Sequence, residues 1–589
     1  MTIYLKRITR MSSPKIHNNM IAIVLVLFIT IMGVAENAAA LMLEMSVEEL
    51  SSGADSIIVG QVIHRKSHWN RDKTEIYTRV VISTEERLKG SAHSGNIAIV
   101  IPGGQIGDTT VEVTDVPDFS VGEKVVIFIR PLSDQQVAED GLVNTGDNTP
   151  WFRIHGGFQG KFSVHNDKVG KVPLMKFKER ISKALTGEIP GNPESQNLLN
   201  SESISSVQTI SGIFPSSASA GTNTLITIIG SNLGASPGTP YFYYKSNVYY
   251  GCPSCVSSWS DSDVVVNVPV FKASDGYSAS AGSGPVYLTT PAGDKSNSFP
   301  FSVTFSYGGS KWTGASPIVE FNVNPNGNTA FLKAVQDAAD TWNAVPNNNF
   351  SFKFAGTTTA VNSATNQINE IIWADLHDGS IIGQTSIRSS NGVISECDIT
   401  FNTKFPWSTD ASTPGKSMDV HTVALHEMGH WLNLRDLYGN VSGYPTDIDK
   451  VMYGYGSTGK QKRNLTIYDS MGMRYIYPGA NPCAASLSLT GSAYHLFVPI
   501  INTNPNLWGD FLYDPAVSTT QVRLTNFGET TNPDGCEISQ LSTLTLVDSN
   551  YILHIPEVIF DGISYRIDLT YTPTTDGLIW FMVSGVWKI

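Results

Sequence analysis

Apolar and polar residues alternate along most of this chain in short runs, broken by glycine, proline, asparagine and serine. Ile57 to Val62, Ile76 to Ile82, Ile97 to Ile101 and Val125 to Ile129 are strand-like runs bounded by turn residues, and they predict a small β-barrel or sandwich over residues 42–190. A polar stretch at residues 191–206 reads as a linker. Towards the C-terminus Tyr565, Ile567, Leu569 and Tyr571 alternate, and Ile579 to Val583 is a continuous apolar run. Together they predict a final β-sandwich over residues 480–589. Between these β regions the period changes. Phe331, Val335, Ala338 and Trp342 share one helix face. Val420, Val423, Ala424, Met428 and Leu432 form an apolar stripe at helical spacing, with Ser417 or Asp419 as the N-cap. The pattern predicts a multidomain chain in which an α+β domain over residues 309–479 is combined with β-sandwich and β-barrel modules.

Length agrees, since 589 residues exceed what one hydrophobic core organises. The basic residues Lys6, Arg7, Arg10 and Lys15, the apolar run Met20 to Val34 and the Ala38-Ala39-Ala40 site predict a secretory signal over residues 1–40. The protein is therefore expected outside the cell, either released or retained at the surface. The net charge of −13 argues against nucleic acid as a partner. Export permits disulfides. Cys252 and Cys255 are spaced for a local bridge, Cys483 and Cys536 for a long-range one, and Cys397 is left as a buried thiol.

The chemistry concentrates in His426-Glu427-Met428-Gly429-His430-Trp431-Leu432-Asn433-Leu434-Arg435-Asp436. On a helix, residues i and i+4 lie on one face, so His426 and His430 can hold one metal ion together. Glu427 projects beside that face, where it can serve as general base on an attacking water. A third ligand six residues after His430 requires the chain to turn sharply near position 433. Asn433 is the non-glycine residue type best suited to a left-handed turn. The ligand set His426, His430 and Asp436 leaves a fourth position open, as catalytic zinc requires. A competing reading makes Asp436 a salt-bridge partner of Arg435, with Asp447, Asp449 or Asp469 completing the site.

This segment resembles the metzincin metallopeptidases, in the matrixin-like branch with an aspartate ligand. Asp449 to Gly454 is similar to their Met-turn, with Met452 as the floor beneath the metal, and Leu465 to Pro478 resembles the closing helix. The resemblance implies a secreted zinc endopeptidase acting on protein or peptide substrates, with the edge strand near Gly383 to Arg388 aligning the substrate. Asn433 departs from the usual glycine. Some members supply a tyrosine two residues after the methionine; here that position is Gly454. Residues 207–306 resemble an IPT/TIG immunoglobulin-like domain, through Ile213-Phe214-Pro215, Gly221 to Gly234, Trp259-Ser260-Asp261 and Val286 to Phe301. The N-terminal β-rich region, lying ahead of the zinc motif, is either a pro-domain or an accessory module. The rival function is a cell-surface adhesion protein whose β modules bind a surface or polymer ligand while the zinc domain is catalytically silent. We read the chain as a monomer.

Overall fold

The computed structural model describes residues 42–589 except residues 91–94, 115, 143–148, 171, 188–207, 246–247, 273–277, 346, 411, 480–483, 491–492, 504–505, 530–539, 548–549, 561–562 and 573–578. The expected signal segment, the linker at 191–206 and the Cys483–Cys536 pair lie outside the described residues. Among the described residues no helix is long and apolar enough to cross a membrane. The architecture is multidomain and mostly β.

In the N-terminal region the alternating runs curl into a closed ring. Ser56–Trp69 pairs with Ile76–Lys89 and Lys124–Pro131. Asn96–Pro102 extends the sheet, and Trp151–Ile154 bridges Asn96–Pro102 to Lys124–Pro131. Ile58, Val62, Val80, Ile82, Ile99 and Ile127 fill the interior. Helix Val47–Gly53 packs outside, started by a reciprocal capping box between Ser46 and Glu49. The next region is a two-sheet sandwich spanning Thr209 to Ser306. Its core includes Ile226, Ile228, Phe242, Val264, Val266 and Phe301.

The C-terminal region corrects an expectation. Eight strands from Ala485 to Lys588 form one sheet rather than a sandwich. Ala485–Thr490 and Ala493–Asn502 pair with Asn550–Phe560 and Ser542–Val547 respectively, so the sheet closes on itself as a barrel. Alternation marks which residues face inward, and it is the same for a barrel wall as for a sandwich sheet.

The third region carries His426, Glu427, His430 and Asp436. Its sheet contains β1 (Gly104–Ile106), β2 (Thr109–Val113), β3 (Ile318–Val323), β4 (Ser351–Thr357), β5 (Glu370–Ala374), β6 (Gly383–Ser390) and β7 (Val393–Asn402), in the order β4-β3-β5-β7-β6-β2-β1. β3, β4, β5 and β7 run parallel, whereas β6 returns antiparallel to β7. Helices α1 (Thr329–Asn343) and α2 (Val420–Trp431) pack against the sheet, and α3 (Ile467–Ile476) follows. Phe331, Val335, Ala338 and Trp342 are all buried, and the Trp342 indole N–H donates to the Leu425 carbonyl at 2.8 Å, tying α1 to α2.

Two strands of this sheet, β1 and β2, come from the N-terminal region. They are not internal to the module read over residues 42–190. The join is reinforced by Arg388 on β6, which is buried and bonds Asp398 on β7 and Glu75 of the N-terminal region, both at 2.8 Å. Burial raises the Asp398 carboxyl from its ordinary 3.8 to about 6, even with the Arg388 charge opposing the rise. A carboxyl raised on folding contributes stability that is full below its unfolded value and is lost as pH climbs through the folded value. Thermal melts of the parent should therefore fall between pH 4 and 7 more steeply than those of Asp398→Asn. Parallel pH curves for the two chains would refute this.

Candidate metal centre

Helix α2 begins where Asp419 accepts from the Thr422 backbone N–H at 2.9 Å, with Arg463 paired to the same carboxylate. The helix is buried on almost every side, which places His426, Glu427 and His430 inside the protein. It ends in a Schellman arrangement. The Asn433 N–H donates to the His430 carbonyl at 2.8 Å, and the Leu434 N–H to the Gly429 carbonyl at 3.2 Å. Asn433 takes φ 66, in the left-handed region, and its side-chain oxygen accepts from the Ser310 N–H at 2.9 Å. Asn433→Ala loses both that bond and asparagine's tolerance of positive φ, whereas Asn433→Gly loses only the bond. We expect Ala to cost about 1–3 kcal/mol, and more than Gly, in urea unfolding. Equal losses would show that the backbone conformation is not what the residue supplies.

The turn brings Asp436 back over the two histidines. Asp436 Oδ1 lies 3.1 Å from His426 Nε2 and 3.5 Å from His430 Nε2, and the two Nε2 atoms are 3.0 Å apart. Both histidines hydrogen-bond through Nδ1 to backbone carbonyls, His426 to Val451 at 2.6 Å and His430 to Leu434 at 2.8 Å. Donation from Nδ1 leaves each Nε2 lone pair aimed at the other and at the carboxylate. Burial lowers the His426 pKa, which favours the neutral ligand form. Burial alone would raise Asp436, but the paired histidines outweigh it and hold its carboxyl below the usual range. These three residues are the metal-competent cluster among the described residues. Two ligands of a tetrahedral zinc at about 2.1 Å stand roughly 3.4 Å apart, so 3.0–3.5 Å separations suit such an ion.

Glu427 lies beside the cluster. Its Oε2 accepts from the Thr385 hydroxyl of β6 at 2.5 Å, while Oε1 is buried with no hydrogen-bond partner. Burial pushes this carboxyl well above the usual carboxylate range, Thr385 opposing and Asp436 adding to the rise. Gly383 makes room for it, since a Cβ there would collide with Oε1. Met452 packs under α2, its sulfur filling the space that a side chain on Gly429 would take. The loop bearing Met452 is held by Asp469, whose carboxylate accepts from the Val451 and Met452 N–H groups at 3.0 and 3.2 Å.

Thr385 and Asp469 are contributors that the sequence reading did not assign to these roles. Asp469 had a local signal, the Thr466-x-x-Asp469 capping box. Thr385 had none, because only the sheet brings it to Glu427. Of the alternative ligands, Asp469 serves the loop, and Asp447 accepts from Ser283 and Gly439 and pairs with Lys450. Arg435 pairs with Glu112 of β2. Cys252 is bonded to Cys255, and Cys397 is buried in β7 with its thiol pushed well up by burial.

Comparison with known proteins bears on two regions. Residues 209–314 match the IPT/TIG domain family, which covers the two-sheet sandwich. The sandwich is an IPT/TIG domain. Its expected bounds of 207–306 differ from the match by two residues at the start and eight at the end. Separately, a 66-residue stretch of the chain is 39% identical to Metalloendoproteinase 2-MMP of Arabidopsis thaliana. That stretch is 11% of this chain and spans only 15% of the relative's length. The IPT/TIG domain meets the metal-cluster region through Ser283, whose N–H and hydroxyl donate to Asp447 at 2.9 and 2.6 Å.

Proposed function

We propose that this chain is a secreted zinc-dependent endopeptidase of metzincin type, acting on protein or peptide substrates. The observation that carries the reading is the convergence of His426 Nε2, His430 Nε2 and Asp436 Oδ1 beside an unpaired, buried Glu427 oxygen. The donor set fits zinc: two imidazoles oriented by backbone carbonyls, one carboxylate, and a fourth position left for the reaction. When bound, the ion would supply Lewis acidity, polarising the scissile carbonyl and acidifying a water.

The chain's own residues do the rest. Glu427 takes a proton from the attacking water at Oε1 and later passes it to the leaving amine nitrogen. Its environment favours a carboxyl able to hold that proton in between. Thr385 fixes the carboxylate's orientation through Oε2. Asn433 and the helix end hold Asp436 in place, and Met452 closes the space beneath. The short likeness to a metalloendoproteinase supports this reading. Export belongs to the same proposal, resting on the basic leader, apolar run and Ala38-Ala39-Ala40 site.

The test is zinc per chain in the purified protein, together with cleavage of unfolded casein in the presence and absence of a chelator. Near one zinc per chain with chelator-sensitive cleavage supports the peptidase. Zinc bound firmly with no cleavage, even after the N-terminal region has been displaced, would favour a binding role for the IPT/TIG and barrel modules. Absence of zinc binding would overturn the proposal.

A further inference from the structure

The strand expected to receive substrate is already paired. β2 runs antiparallel along the outer side of β6, with Val113 opposite Ser386, Glu112 opposite Ile387, Val111 opposite Arg388, Thr110 opposite Ser389 and Thr109 opposite Ser390. The pairing continues one residue further. The Thr114 N–H donates to the Thr385 carbonyl at 3.1 Å, and the Thr385 N–H to the Thr114 hydroxyl at 3.0 Å. On the other side of the metal cluster a second N-terminal segment takes over. Met42 bridges antiparallel to Ile381, and the Leu43 N–H donates to the Ser380 carbonyl at 2.8 Å. The same two residues run parallel to Tyr455–Gly456, so they lie between the strand and the loop that follows Met452.

What remains between these segments is the stretch at Gly383 that faces Glu427. A strand edge offers one set of N–H and C=O groups, and a peptide adding itself there needs that same set. Ion pairs and hydrogen bonds hold the cover down. Glu112 pairs with Arg435, next to the ligand Asp436, and Glu75 pairs with Arg388. The Gly156 N–H donates to Asp378 at 2.7 Å. Phe158 packs edge-on to Tyr438, with ring centres 5.3 Å apart.

We propose that the N-terminal region inhibits the site by strand occupancy. Thr109–Thr114 would take β6 on one side of Gly383, Met42–Leu43 would take Ser380–Ile381 just ahead of that strand, and an extended peptide substrate would enter antiparallel to β6 only when they leave. The proposal rests on the peptidase reading for its catalytic consequence, but the occupancy itself is testable without it. It requires no thiol at the metal, in keeping with the Cys252–Cys255 bond and the burial of Cys397.

The experiment uses the zinc-loaded full chain in three forms. These are the parent, Glu112→Pro, which removes a β2 donor and the Arg435 pair, and a Thr109→Cys/Ser390→Cys tether across directly opposed residues. Each is given a fluorescent peptide of residues 107–116 and, separately, unfolded casein. Melting curves check that Glu112→Pro remains folded. Occupancy predicts that the peptide binds Glu112→Pro at least roughly tenfold more tightly than the parent. It also predicts that the tethered chain binds none until reduced, and that casein cleavage follows the same order. Peptide binding in that order without any cleavage would support occupancy while refuting the peptidase. Cleavage at one rate in all three forms, or equal peptide binding to all three, would overturn occupancy.

Discussion

Glu427→Gln is expected to bind zinc like the parent and to lose about 10²- to 10⁴-fold in peptide hydrolysis. Glutamine has glutamate's shape and can keep an oxygen toward the Thr385 hydroxyl, so the contact at 2.5 Å need not be lost. None of the three ligand atoms is touched, and metal content should not change. What disappears is the ability to accept a proton at the position now held by Oε1, which is buried and has no hydrogen-bond partner. The comparison belongs in a Glu112→Pro background if the parent is latent, with zinc assayed in both chains. Hydrolysis at an undiminished rate would remove Glu427 from the base role. Loss of zinc would show the residue to be structural. Thr385→Val in the same background should give a smaller loss, because it frees the carboxylate's orientation without removing the base.

The residues around that carboxylate differ in how far a sequence could reveal them. The helix, its Asp419 cap, the apolar stripe and the turn at Asn433 all follow from spacing within one segment. Propensity, capping and i to i+4 geometry act there over a few residues. The buried face of α1 was legible for the same reason. The pairing of β2 with β6 was not, because Thr110 and Ser389 are far apart in the chain and no local pattern encodes which edges meet. Strand alternation identifies a face, not a partner. The same gap explains why the C-terminal strands were read as a sandwich and form a barrel. It also explains why β6, read as an edge strand, is covered. Long-range pairing thus decides the accessibility of a candidate site whose metal-competent residues are local in sequence.

Arg388→Met should cost about 3–5 kcal/mol of stability at neutral pH, the range for removing one partner from a buried ion pair. Arg388 is 2% exposed and lies against Asp398 at 2.8 Å and Glu396 at 3.5 Å, both carboxylates almost wholly buried. Methionine replaces the volume but not the charge. Asp398 would keep its bonds from Ser363 and the Glu370 N–H, and Glu396 those from the Asn366 and Gln367 N–H groups. Those bonds soften the loss but do not neutralise two adjacent carboxylates. The deficit should shrink as pH falls towards about 6, because without Arg388 the Asp398 carboxyl takes up its proton at a higher pH than in the parent fold. Adding Asp398→Asn to Arg388→Met should recover part of it, which urea unfolding of the four chains at pH 7 would measure as a coupling. Because Arg388 also holds Glu75, the substitution weakens the grip of the N-terminal region on β6. Amide exchange at residues 385–390 should therefore rise by more than global destabilisation accounts for. A loss below about 1 kcal/mol, the scale of an exposed pair, would mean that water reaches these carboxylates and that this network does not fasten the cover.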